Sequence, residues 1–100
     1  MIKGKTKSFA FSNSTMILYL DTETTGLYPG NICQLSYILQ TEDEVRAKNF
    51  FFEVDFVEYS AYMVHGFSKQ KLQELSNGKK FADDIDQIQE DVESADLVVA

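Results

Sequence analysis

The stretch Met16-Ile-Leu-Tyr-Leu-Asp-Thr-Glu-Thr-Thr-Gly26 decides the reading of this chain. Met16–Leu20 is an apolar run without alternation, closed at Asp21 by polar and turn residues, and reads as a central strand buried on both faces. Gly26 and then Pro29-Gly30 punctuate the turn that follows. Asp21 and Glu23 stand two residues apart at the strand end, so both carboxylates face one side of the sheet edge. Two acids that close ionise together only at a cost, which a divalent cation removes. Hard oxygen ligands select Mg²⁺ or Mn²⁺. Two such ions about 3.5–4 Å apart suit in-line attack on a phosphodiester. Thr24, Thr25 and Gly26 turn the chain sharply, placing backbone N–H groups and a hydroxyl where a terminal phosphate or sugar would lie. Read alone, an Asp-x-Glu pair at a strand end is more often a solvated cap. The apolar strand followed by the whole Asp-Thr-Glu-Thr-Thr-Gly run makes the pattern specific.

Beyond the turn, Asn31–Gln40 alternates, with Cys33, Leu35, Tyr37 and Leu39 on one face and Ile32, Gln34, Ser36 and Ile38 on the other. Thr41-Glu-Asp-Glu44 is a charged turn. Arg46–Asp55 reads as a third strand, with Phe50, Phe52 and Val54 in phase and Phe51 opposite. Three strands joined by short loops imply an antiparallel meander. After residue 58 the period changes. Ser60 caps a short helix that ends at Gly66, and Ser68 caps a second one that ends at Asn77-Gly78. Phe81, Ile85, Ile88, Val92 and Ala95 then recur at helical spacing. Asp83, Asp84, Asp86, Glu90, Asp91 and Glu93 lie opposite that stripe, as a solvated face. Asp96-Leu-Val-Val-Ala100 begins a further strand.

Composition bounds the alternatives. One hundred residues with 44% apolar and 25% charged side chains fit one small folded domain and exclude disordered and low-complexity classes. The longest apolar run is too short to span a bilayer, no membrane partner is expected, and nothing resembles a signal peptide. The single cysteine, Cys33, excludes an internal disulfide and a multi-cysteine zinc site, and suits packing in a reducing cytoplasm. The phenylalanines between 50 and 81 read as core before they read as a base-stacking platform. Residues 1–15 are basic and polar around a Phe9-Ala10-Phe11 knot, and read as a loose, disordered arm. Met16 is a second candidate start. The first twenty residues hold three Lys and no acid, against a net charge of −7 for the whole chain. So acidic a body disfavours nucleic acid unless its acids gather at metal ions that neutralise phosphate.

Leu18–Leu27, LYLDTETTGL, closely resembles the first exonuclease motif of the DEDD 3′→5′ exonucleases, the proofreading epsilon-subunit type of DNA polymerase III. The resemblance continues in order along the chain. Asn31-Ile-Cys-Gln-Leu35 is similar to the family's second strand, and Met63-Val-His-Gly-Phe-Ser68 to its His-Gly turn between helices. Ser94-Ala-Asp-Leu-Val-Val-Ala100 is similar to the strand that leads into its second motif. The resemblance implies an α/β, ribonuclease H-like fold: a three-stranded antiparallel meander, then helices and the start of a further strand, over residues 16–100. It implies two Mg²⁺ or Mn²⁺ ions held in part by the catalytic carboxylates Asp21 and Glu23. Thr24 and Leu27 would touch the terminal nucleotide, and Val64 and His65 would lie against its base or sugar. His65 is not the family's general base, which belongs to a later motif. The implied partner is the 3′ end of single-stranded DNA or RNA, cleaved to nucleoside monophosphates, with a DNA polymerase subunit as a second partner.

Two departures stand out. The family's two further aspartates lie beyond Ala100, so the resemblance implies an incomplete domain that is inactive as these 100 residues. The usual proline after the third strand is replaced by Asp55-Phe-Val-Glu58. Two other function classes fit parts of the sequence. Asp21-Thr-Glu-Thr-Thr25 superficially matches an aspartyl-phosphate loop with Asp21 as nucleophile, although an alternating strand follows where that architecture puts a helix. A non-catalytic, exonuclease-like binding module is the third class. Apolar sheet surface left uncovered predicts marginal stability or self-association. Ultracentrifugation and calorimetry check this: a monomer with a sharply cooperative melt would contradict it.

Overall fold

The computed structural model describes residues 15–26 and 30–100. Four strands form one sheet in the order β3-β2-β1-β4. β1 (Ile17–Thr24), β2 (Ile32–Gln40) and β3 (Val45–Phe51) make the antiparallel meander. Three helices follow, α1 (Tyr59–His65), α2 (Lys69–Ser76) and α3 (Phe81–Ser94), before β4 (Leu97–Val99) pairs parallel with β1. β1 is therefore central. It runs through Asp21 and Glu23 to Thr24, four residues beyond the apolar run that announced it.

Register sorts the side chains. Leu18 faces Leu39 across the β1–β2 ladder, Leu20 faces Tyr37 and Thr22 faces Leu35. β2 alternates as its sequence requires, with Cys33, Leu35, Tyr37 and Leu39 all buried. On this face the core gathers Leu18, Leu35, Tyr37, Leu39, Phe52 and Ile88 of α3, with Val92 and Ala95 packed against it. Burying one such side chain contributes about 1.5–3 kcal/mol. The other face carries Tyr19, Asp21 and Glu23, directly opposite Ile38, Ser36 and Gln34. It is not buried as the sequence predicts. Tyr19 is 40% and Ile38 42% exposed, because α3 packs only on the first face. Phe67 meets this second face at one end, edge-on to Phe51.

The helix boundaries follow local chemistry with two corrections. Gly66 adopts the left-handed conformation (φ 79°) that ends α1, and Ser68 accepts from the Lys71 N–H at the start of α2. The cap of α1, however, is Glu58 rather than Ser60, because the Glu58 N–H donates to the Thr25 carbonyl (2.8 Å) and fixes where the helix begins. The acidic face of α3 is also not wholly solvated. Asp91 turns to the sheet, accepting from the Tyr37 hydroxyl and from Lys48 Nζ (2.9 Å). Asp84 is largely buried beside Lys79. Asp84, Ile88, Asp91 and Ala95 share the helical spacing that places them inward. Among the phenylalanines, Phe52 is core as expected, whereas Phe56 is 59% exposed.

The Tyr37–Asp91–Lys48 cluster ties α3 to β2 and β3. Burial raises the Asp91 carboxyl, but the bonds from Tyr37 and Lys48 outweigh it and hold the group below its ordinary value of 3.8. Burial and the same bond push the Tyr37 hydroxyl well up. Because the folded Asp91 titrates below the unfolded one, its stabilisation is present above about pH 4 and lost as pH falls through the folded value. Asp91→Ala is expected to cost about 1–3 kcal/mol in urea unfolding at neutral pH. Its stability should also fall less steeply on acidification than the parent's. For Cys33, burial and the nearby Glu23 charge raise the thiol to about 11. Alkylation of the native protein by iodoacetamide should therefore be far slower than of the urea-unfolded chain.

Candidate functional site

Asp21 and Glu23 sit on the same face of β1, both flanked by β2. The ladder shifts register between Glu23 and Thr24, which lets the chain leave the sheet immediately after the second acid. Neither carboxylate has a hydrogen-bond or ion-pair partner among the described residues. The three ion pairs there engage Glu44, Asp91 and Asp84 instead. Among the described residues the pair is thus left without a protein cation, on a face open to solvent.

The turn after β1 closes on itself. The Thr25 N–H donates to the Asn31 carbonyl (2.9 Å), the Asn31 N–H donates to Thr25 Oγ1 (3.1 Å), and Thr24 Oγ1 donates to the Gly26 carbonyl (3.1 Å). Thr25 is almost fully buried, and its hydroxyl staples the two ends of the turn. Gly26 lies against the Glu58 side chain and Gly30 against the Gly26 carbonyl. A methyl group at either position would collide with those atoms. The two glycines are there for close approach.

A pocket of about 260 Å³ opens beside the pair, lined by Glu23, Thr24, Gly26, Ser60, Ala61, Val64 and His65. That is slightly below the roughly 300–1,000 Å³ of pockets for drug-sized ligands, and suits one sugar or base. Of the residues singled out from sequence, the structure brings Glu23, Thr24, Val64 and His65 into this pocket. Asp21 lies two residues back on the same strand face, lining an adjoining shallow depression with Tyr19, Ser36, Ile38 and Asn49. Leu27 falls outside the described residues. Sequence reading missed Ala61, which lines the pocket, and cast Ser60 only as a helix cap. Both belong to the helix face shared with Val64 and His65, so the i, i+3, i+4 spacing was the available signal.

His65 is held on both ring nitrogens. The Phe67 N–H donates to Nδ1 (3.0 Å), so Nδ1 carries a lone pair, and Nε2–H donates to the Thr24 carbonyl (2.9 Å). Its ring also stacks on Phe67, with centroids 5.3 Å apart.

No protein-family model matches the chain, and neither does any curated protein. Solved structures do. E. coli exonuclease I in complex with a 5cy-dT13 oligonucleotide aligns with a TM-score of 0.66 and 19% identity, over 77% of this chain and 18% of its own. The zinc-ion-bound E. coli exonuclease I–single-stranded DNA complex matches to the same extent. Product-bound exonuclease I matches at 20% identity, over 77% of this chain and 19% of its own, with the same TM-score. The chain thus spans less than a fifth of the length of these proteins. The likeness shows the fold: the α/β, ribonuclease H-like arrangement expected from sequence is present.

The packing of Gly26 on Glu58 is testable by a double-mutant cycle. Gly26→Ala should cost about 1–3 kcal/mol, and most of that should be regained on adding Glu58→Ala, because a flexible side chain is what the methyl meets. Gly30→Ala meets backbone instead. Its cost should not be relieved by Glu58→Ala.

Proposed function

We propose that this chain is the N-terminal portion of a metal-dependent 3′→5′ exonuclease acting on single-stranded DNA ends and releasing nucleoside monophosphates. The observation that carries this reading is the Asp21–Glu23 carboxylate pair, unpaired among the described residues, on the open face of the central strand beside a pocket of nucleotide-fragment size. The fold shared with exonuclease I structures, some of them bound to single-stranded DNA, agrees with it.

The donor chemistry fits Mg²⁺ or Mn²⁺ in part. Both carboxylates are hard ligands, free of other partners among the described residues, and solvent reaches them for the water ligands Mg²⁺ retains. No group of three His, Cys, Asp or Glu side chains comes together among the described residues. Asp21 and Glu23 alone would supply two donors, and a bound ion would draw the rest from water, substrate or residues outside this group. A metal bound there would neutralise phosphate charge and acidify a water ligand.

The chain's own residues have narrower tasks. Asp21 and Glu23 hold the cation at the strand end. Thr24 and the turn behind it present polar backbone to the terminal sugar. Ala61 and Val64 offer an apolar wall for a base, and His65 lines the pocket beside them. The chain's net charge of −7 makes affinity for phosphate depend on the metal rather than on lysines.

The test is cleavage of a 3′-labelled single-stranded oligonucleotide by the full-length protein with Mg²⁺ or Mn²⁺. Label should leave as a mononucleotide, and EDTA should abolish its release. Asp21→Asn or Glu23→Gln should each lower the rate by roughly two to three decades, the scale of several kcal/mol of metal assistance. Cleavage unchanged in Asp21→Asn would remove that residue from the site. Metal-independent binding without cleavage would favour a non-catalytic module.

A further inference from the structure

α1 carries four of the seven residues lining the pocket, yet none of its own residues is buried. Most helical stability in proteins comes from burying an apolar face, and this helix buries none. Polar contacts at its two ends hold it in place. At its start, the Glu58 N–H donates to the Thr25 carbonyl (2.8 Å) and the Glu58 side chain lies on Gly26. At its end, His65 Nε2–H donates to the Thr24 carbonyl (2.9 Å). Both anchors grip the turn that directly follows Glu23.

We propose that His65 is a positioning residue, one half of a two-point latch with Glu58 that holds α1 over the nucleotide pocket. The inference deepens the nuclease reading and rests on it for the pocket's occupant. His65 spends both ring nitrogens on backbone: Nδ1 accepts from Phe67 N–H while Nε2–H reaches Thr24. It has no nitrogen left to bond a nucleotide, and offers the pocket only ring carbons. Its effect on a ligand passes through Thr24 and the placement of Ala61 and Val64. With the latch open, α1 would be tethered mainly by the chain on either side, and the pocket wall would leave Glu23.

The chain has a single histidine, so its imidazole nitrogen resonances need no assignment by mutation. In the ¹⁵N-labelled chain, without metal or nucleotide, the spectrum should show Nε2 protonated and Nδ1 as an acceptor. The opposite tautomer would overturn the latch. A pair of variants supplies the second readout. In His65→Phe, which keeps the ring and its stacking but not the donor, α1 amides should exchange roughly five- to tenfold faster, the scale one hydrogen bond sets. Amides of α2 and α3 should be unaffected. His65→Gln places an amide donor near the position of Nε2 and should restore slow α1 exchange. Equal α1 exchange in parent and His65→Phe, or no recovery in His65→Gln, would refute the proposal. These readouts involve no cleavage, so they stand or fall independently of the Asp21 and Glu23 experiments.

Discussion

The antiparallel register of β1 against β2 is the constraint from which the rest of the molecule follows. Setting Leu18 opposite Leu39 and Leu20 opposite Tyr37 sends these four residues to the face covered by α3. The same register necessarily sends Tyr19, Asp21 and Glu23 to the other face, because side chains alternate along a strand. A slip of one residue would exchange the two sets, burying two carboxylates under α3 and exposing the leucines. Hydrophobic burial on one face thus pins the carboxylates on the other. The stability of the core and the geometry of the site are fixed by one ladder.

Two modes of attachment divide the helices. α3 is fastened by apolar packing around Ile88 and by the Asp91 carboxylate, which Tyr37 and Lys48 hold in its charged form. α1 touches the sheet through hydrogen bonds to the backbone of one turn, with its side chains largely in solvent. Elements with few buried apolar contacts open locally at low free energy. The element that walls the pocket is therefore the one most readily displaced, while the carboxylates stand on the most constrained strand of the sheet.

Much of this was legible in the residues. The alternation of Cys33, Leu35, Tyr37 and Leu39 gave β2 and its buried face outright. Gly66 and Asn77-Gly78 marked two helix ends correctly, because left-handed caps leave a strong local signature. The i, i+2 spacing of Asp21 and Glu23 placed both acids on one face. What failed depended on tertiary context. An apolar run does not say whether both faces will be covered, so Tyr19 was wrongly placed inside. Ser60 has the right chemistry for a cap, but Thr25 recruits Glu58 to that position from across the fold. An acid on a helix reads as solvated until a tyrosine and a lysine on neighbouring strands are seen to face it, as they do Asp91. Residues 1–14 and Leu27, on which the basic arm and one nucleotide contact were placed, lie outside the described residues.

The central claim is that the strand-end pair, rather than the richer acidic surface of α3, is where a divalent cation binds. Titrating Mn²⁺ into the ¹⁵N-labelled 100-residue chain and mapping paramagnetic line broadening addresses it directly. The account predicts broadening centred on Asp21–Thr24 and on the facing Gln34 and Ser36 amides, at millimolar metal, since two carboxylates are only part of a ligand set. Broadening that instead spreads along α3 from Asp83 to Glu93, sparing β1, would contradict it.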